Sequence, residues 1–419
     1  MIARLQRDRT QEQALKPQGR EQPERGARLF YLDWLRVLAV FGVFLAHTGD
    51  IFDTLYWHTR RGGPGIHWDA LATFGAQWGM SLVFLLAGAS AWFALSSRTS
   101  RQFIEERFKR LFIPFVVAFL LLSPIQAYFL AYFLATGYSS YHGTFLAFFP
   151  YFFEHIQIGK DLKWLSIYGY HLWFLAFLFL ISIISLPALS WLKRGRGLRF
   201  ISRLAAICKR PGGLLVFVVP LATIRILLWT LFPGYQGWTD FFGWLCIFVC
   251  GFMLIADKSF EAAIQKQWKL FLPLAIVCIA TLIVANVAGA LSGWEYAPGY
   301  SAVYLLYQFL LSLTSWSLTV CALALAIHCL NFNNNVLRYA NEAVLPFYVI
   351  HQPVLVVIAF YIVAWNLPSV VTYLFVSLAA LVVTLDLYEF LIRRVKLLRL
   401  LFGMKAESTL KPAQPNVPA

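Results

Sequence analysis

Apolar runs of about twenty residues recur along almost the whole chain, and few architectures tolerate that pattern. A helix that crosses roughly 30 Å of hydrocarbon needs about 20 residues. Runs of this kind fall at 31–50, 72–95, 111–135, 169–192, 213–232, 240–256, 270–292, 303–328, 344–364 and 369–392. The expected fold is therefore all-α, a polytopic integral membrane protein with about ten transmembrane helices. Composition agrees, since 60% of residues are hydrophobic, only 13% are charged and mean hydropathy is +0.66. A soluble domain carries about 25% charge, because water must wet its surface. The 419 residues are thus expected to form one membrane domain, 29–405, between disordered tails at 1–28 and 406–419. Pro124, Pro187 and Pro220 are expected to kink their spans. The chain shows no internal repeat of the kind that builds inverted-repeat transporters.

The net charge of +15 suits a nucleic-acid ligand only if the charge is gathered on one surface, and here it is not. Thirty of the 35 Lys and Arg lie in the N-terminal stretch through Arg36, in 98–110, 193–210, 257–269 and 331–343, and from Arg393 onward. The opposite loops hold only Arg60, Arg61, Lys160 and Lys163, and Arg225 lies inside a span. Positively charged loops stay cytoplasmic, so both termini are expected there, as an even number of spans requires. No nucleic-acid partner is expected, and the Arg-rich start lacks the short apolar core of a signal peptide. The six Cys are scattered through apolar runs and one basic loop, which suggests neither a disulfide framework nor a metal site. The two larger external loops, 51–71 and 136–168, carry Trp57, His58, His67, Trp68, Tyr138, Tyr141 and His142. Such rings suit a sugar-like acceptor or an interfacial aromatic belt, and the belt is the simpler reading.

Ionisable side chains inside a span are costly and point to function. Arg36 and His47 share the first span, eleven positions apart. At about 100° per residue they return to within about 20° of one face, with an axial separation of about 16 Å. Asp50 lies one turn beyond and could fix one tautomer of the imidazole. Taken singly, Arg36 reads as a topology anchor and His47 as an interfacial histidine; the pair on one face favours function. Arg107 and Arg110 lie one turn apart at the mouth of the third span, where guanidinium forks suit phosphate or anionic lipid. His171 opens the fourth span, and His351 in the ninth is followed by Pro353, whose missing N–H frees a carbonyl beside a cavity. Arg225 in the fifth span requires an anion, either Asp386, Glu389 or a ligand phosphate.

At these residues the chain resembles the acyltransferase-3 family of bacterial inner-membrane O-acyltransferases. The shared marks are Arg36-x10-His47, Gly88 and Ser90 in the second span, Arg107-x-x-Arg110, His171-Leu-Trp173-Phe-Leu, and Tyr348-x-x-His351-x-Pro353. The second span reads Ala87-Gly88-Ala89-Ser90 where many members read Ser-Gly-Phe. Within the family, 80–90, 123–128 and the Leu401-Phe-Gly-Met-Lys405 end are similar to the glucan biosynthesis protein C branch, which is associated with succinylation.

The resemblance implies transfer of an acetyl or succinyl group from cytoplasmic acyl-CoA to a hydroxyl of an extracytoplasmic glycan, with no permanently bound cofactor or metal. It implies His47 as general base, with His351 or His171 the alternates, and His351 and Asp50 beside it in the catalytic set. Arg36, Arg107, Arg110 and Arg225 would hold CoA phosphates, and His171, Trp173 and Ser90 would contact substrate. The expected location is the bacterial inner membrane. A proton-coupled transporter or flippase, with His47, Asp50, His351 and Asp386 as a relay, is the reading from another class.

Overall fold

Once hydrocarbon replaces water, each backbone N–H and C=O must bond within the chain, and the helix does this locally. The computed structural model describes residues 29–49, 68–133, 141–297, 299–363, 365 and 367–405, and all regular structure among them is helical. Asp50, both tails, and Trp57, His58, His67 and Tyr138 lie outside the described residues. The first third of the chain holds α1 (Phe30–Gly49), α2 (Trp68–Ser97), α3 (Ser100–Arg107), α4 (Ile113–Leu121), α5 (Ser123–Phe133) and α6 (Phe145–Glu154). Next come α7 (Trp164–Gly169), α8 (Trp173–Ile184), α9 (Leu186–Leu192), α10 (Gly195–Cys208), α11 (Val218–Trp229) and α12 (Trp238–Ala256). The last third holds α13 (Lys258–Val287), α14 (Leu291–Glu295), α15 (Ala302–Cys329), α16 (Asn335–Val363), α17 (Ser369–Asp386) and α18 (Lys396–Leu401).

Among the described residues, eight helical stretches are long and apolar enough to cross a membrane, and the pair Ser100–Leu121 with Ser123–Leu130, bent by 40°, makes nine. The expected fifth span is present as an apolar helix at Gly213–Trp229, shorter than the others. One of the expected proline kinks occurs, the 40° bend before Pro124, and the helix breaks at Ser185 ahead of Pro187 in the first turn of α9. Pro220 instead sits in the first turn of α11. There its missing N–H costs nothing, so it starts a helix and does not bend one.

Stretches expected as basic loops are largely helical. Residues 258–269 form the first turns of α13, capped by the Asp257 carboxylate, which accepts from Ser259 N–H at 2.9 Å. In α3, Thr99 and Gln102 close a capping box, which fixes where the Arg107 helix begins. The helix then widens over Phe108–Phe112 into a π turn, with Ile113 N–H reaching the Phe108 carbonyl. Pro114 explains the slip: it has no N–H to give the Arg110 carbonyl, so the register moves by one residue.

Two glycines set the tightest helix contact. A Cβ on Gly88 of α2 would lie 1.8 Å from the Phe248 carbonyl oxygen of α12. A Cβ on Gly251 of α12 would lie 2.0 Å from the Leu85 carbonyl oxygen of α2. The antiparallel pair is thus reciprocal, and dispersion at close backbone approach replaces the hydrophobic drive that lipid cannot supply. Helices α1 and α16 run side by side in the same direction, with Trp34 donating to the Phe332 carbonyl, Phe44 against Phe347, and His47 against His351. At the end that carries Trp34, the C-terminal segment folds back. Buried Arg399 pairs with Glu342 of α16 at 3.3 Å and donates to the Lys405 carbonyl. Gly403, at φ 73, closes over the Arg110 carbonyl.

Candidate active site

Three helices bring their imidazoles together. The ring centroids of His171 and His351 are 5.0 Å apart, those of His47 and His351 5.7 Å, and those of His47 and His171 6.5 Å. His47 comes from the last turn of α1, His351 from the middle of α16, and His171 from the tight turn Tyr170–Leu172 that leads into α8. Phe44, one turn below His47, packs against both Phe347 and His351, and Phe347 stacks on His351.

Backbone carbonyls select the tautomers. Pro353 has no N–H to give the Val349 carbonyl four residues earlier. That carbonyl instead accepts from His171 Nε2 at 3.1 Å. A carbonyl can only accept, so Nε2 carries the proton and Nδ1 of the neutral ring carries the lone pair. In His351 the Nδ1–H lies 2.7 Å from the Tyr348 carbonyl, which leaves the lone pair on Nε2. His171 Nδ1 and His351 Nε2 are both buried without a hydrogen-bond partner among the described residues. The Tyr348 hydroxyl donates to the His171 carbonyl, so α16 holds the histidine at two points. Tyr170 enters this turn at φ 50, a strained value for a residue other than glycine, and the surrounding bonds maintain it. His171 is 3% exposed and His351 0%, whereas His47 is only half-buried. His47 is therefore the imidazole that an incoming group can reach.

The cationic end lies down the same face of α1. That helix is unbroken from Phe30 to Gly49, so the axial separation of about 16 Å from Arg36 to His47 holds. Arg36 donates to Ser90 Oγ at 2.8 Å and lies 3.5 Å from Asp33. Arg107 stacks over Phe103 at 4.8 Å, its Nε is buried without a hydrogen-bond partner among the described residues, and it feels the charges of Arg110, Arg36 and Arg98. Arg110 and Arg98 share Glu106, at 3.5 and 3.1 Å. Two carboxylates, Asp33 and Glu106, among four guanidiniums leave this end with an excess of positive charge, suited to a polyanion.

Several sequence expectations find a different place. Arg225 pairs with Asp240 of α12 at 3.2 Å and donates to Gln308 at 3.0 Å, so neither Asp386 nor Glu389 is its counter-ion. Glu389 instead holds Arg393 at 2.8 Å, and Asp386 is exposed. The reason is tertiary: α11 packs between α12 and α15, away from α17. Arg225 thus stands apart from the Arg36 and Arg107 cluster. Ser90 accepts from Arg36 and donates its own O–H to the Leu86 carbonyl, so it steadies the guanidinium. Trp173 is 5% exposed and stacks on Trp244 at 4.9 Å. Asp50 lies outside the described residues. Cys208, in the basic segment, is buried, which pushes its thiol up to about 12 and makes it a poor thiolate. Among the described residues no group of His, Cys, Asp or Glu has metal-site geometry. Tyr348 and the Val349 carbonyl were not assigned roles in advance, although the Pro353 signal pointed at the latter.

A family model described as an acyltransferase domain, that of the acyltransferase-3 family, matches residues 29–389. Glucans biosynthesis protein C of Salmonella schwarzengrund (strain CVM19633) is 23% identical over 383 residues, covering 90% of this chain and 95% of its own. The proteins of that name from Salmonella typhi and Salmonella typhimurium match with the same identity and coverage. No solved structure matches this chain.

Proposed function

This chain belongs to the acyltransferase-3 family, and from that membership we propose that it moves an acyl group from acyl-CoA, across the membrane, to a glycan hydroxyl. The observation that carries this reading is the division of α1: guanidiniums gather at Arg36 and imidazoles at His47, about 16 Å apart. A donor with an anionic nucleotide at one end and a reactive thioester at the other matches both ends. Arg36, Arg107 and Arg110 hold the phosphates; the aromatic wall of Phe44 and Phe347 excludes water around the thioester.

In the reaction, His47 takes the proton of the acceptor hydroxyl as its oxygen attacks the thioester carbonyl. The new C–O bond forms, the C–S bond breaks, and the CoA sulfur leaves as thiolate and is reprotonated. His351 and His171 position His47, which returns the proton to the departing thiolate. The acyl group is proposed to be acetyl or succinyl, and the acceptor a glucan, following the name of the relatives. The protein is proposed to lie in a bacterial inner membrane. The proposed topology has ten crossings, the nine stretches above with the helix Gly213–Trp229, about 26 Å long, and both termini on the side of the basic loops.

Proteoliposomes test this directly. With a glucose oligosaccharide inside and acyl-CoA outside, mass spectrometry is expected to find the ester on the enclosed sugar. Proton-driven solute uptake without acyl-CoA, and no ester, would instead identify a transporter.

A second expectation follows from Pro353. Pro353→Ala restores an N–H that competes with His171 for the Val349 carbonyl. Losing one hydrogen bond of about 0.5–1.5 kcal/mol should lower kcat by about three- to tenfold and leave KM for acyl-CoA unchanged. Thermal stability should not fall, because alanine suits a helix better than proline. An unchanged kcat would mean that the freed carbonyl has no part in holding the histidine.

A further inference from the structure

A second polar feature lies outside the histidine and arginine clusters. Between α2, α11, α12 and α15 the structure has a narrow cleft lined by Arg225, Asp240, Ser312, Thr239, Tyr235 and Trp244. Its chemistry is unusual for the interior of a helical membrane bundle. The Arg225 and Asp240 charges cancel, with Asp240 Oδ1 toward the guanidinium at 3.2 Å and Oδ2 accepting from Gln236 N–H at 2.8 Å. Gln236 makes that bond from φ 64, a strained conformation for a residue other than glycine. Gln308 is fully buried and gives its Oε1 to Arg225, which leaves its Nε2 donor without a partner among the described residues.

The hydroxyls have the complementary character. Ser312 donates to the Gln308 carbonyl at 2.9 Å and Thr239 to the Phe232 carbonyl at 3.0 Å, so what each still offers is lone pairs. Guanidinium donors of Arg225 therefore face acceptors from the Ser312 and Thr239 hydroxyls, in a site with no net charge, with the Gln308 amide buried behind the guanidinium. A group that both donates and accepts, carries no charge and has an apolar face fits this set. That is a polyhydroxylated ring, its C–H face against Tyr235. The Trp173 ring lies between the cleft and the turn that carries His171. Trp244 stacks on Trp173 at 4.9 Å, two residues past His171, and Tyr235 lies 6.2 Å from Trp173.

Gly243 lies on the cleft face of α12, three residues after Asp240. A Cβ there would meet nothing within 4 Å. Glycine inside a helix costs about 0.5–1 kcal/mol relative to alanine, and no neighbour demands it at this position. Its absent side chain keeps the cleft open.

We propose that this cleft is a saccharide subsite, which binds the hydroxyl edge of one uncharged sugar ring of the acceptor. Its place in the reaction rests on the acyl-transfer reading, while its chemistry does not. The test uses the full chain in detergent, without acyl-CoA, titrated calorimetrically with a neutral glucose oligosaccharide. The protein should bind the sugar, Gly243→Leu should reduce the affinity at least tenfold, and Ser312→Ala should reduce it about fivefold, as one hydrogen bond implies. Both variants should keep thermal stability and acyl-CoA affinity, which shows that they fold. No sugar binding by the unmodified protein, or equal binding by a folded Gly243→Leu variant, overturns the subsite. Ester formation with an unaltered sugar KM in that variant would reject the subsite and leave the acyl-transfer reading standing. Sugar binding lost in Gly243→Leu, with no ester formed by the unmodified protein, would do the reverse.

Discussion

His47→Ala is expected to lower acyl transfer by about 10²–10⁴-fold, the usual contribution of a general base, with membrane insertion and acyl-CoA affinity preserved. The size follows from the chemistry of the acceptor, since a sugar hydroxyl attacks poorly until its proton is removed. Three imidazoles meet at this end of α1, but they are not equivalent. His171 and His351 are buried and donate to carbonyls of α16, whereas His47 is half-buried and reachable. His351→Ala should therefore cost less than His47→Ala, acting through kcat by releasing the ring stacked on His47. His47 also sits in the last turn of α1 away from any close glycine contact, so its truncation leaves the helix packing intact. Initial rates in proteoliposomes, with insertion checked by protease accessibility of the loops, make the measurement. A His47→Ala protein that still produced ester at the unmodified rate would remove the base from the mechanism.

Replacing Arg107 and Arg110 together by alanine is expected to weaken acyl-CoA binding by on the order of a hundredfold or more. Hydrogen bonds to charged groups contribute about 1.5–3 kcal/mol each, and two guanidiniums are lost. Arg107 should account for most of the loss. Its Nε is buried with no hydrogen-bond partner among the described residues, and it stacks on Phe103, so it is already held in place for an anion. Arg110 is shared with Glu106 and exposed. Arg107→Lys is the informative companion: it keeps the charge and loses the planar fork, so it should recover only part of the affinity. Calorimetry in detergent reads both. Affinity unchanged in the double variant would return these arginines to contact with anionic lipid.

Much of the architecture is legible in residue order, because the signals involved are local. Hydrophobic runs locate the spans, as α1, α12, α15 and α16 show, and the eleven-residue spacing of Arg36 and His47 places them on one helix face. Proline chemistry is equally local, since the carbonyl that Pro353 frees is always the one four residues back. Helical caps inside short connections are harder to see, and so 257–269 reads as loop although Asp257 starts α13 there.

Partnership between spans is a different kind of fact. A buried guanidinium announces that it needs an anion, but only packing selects one. Here it is Asp240 on the adjacent helix, because α2 and α12 close on each other through Gly88 and Gly251, and α11 lies against α12. The meeting of His47, His171 and His351 likewise requires α1 and α16 to run in parallel and the Tyr170 turn to present its neighbour to the Val349 carbonyl. Helix periodicity fixes which side chains share a face within about one turn. Which faces meet depends on backbone approach between segments hundreds of residues apart, and no local pattern in the chain encodes that distance.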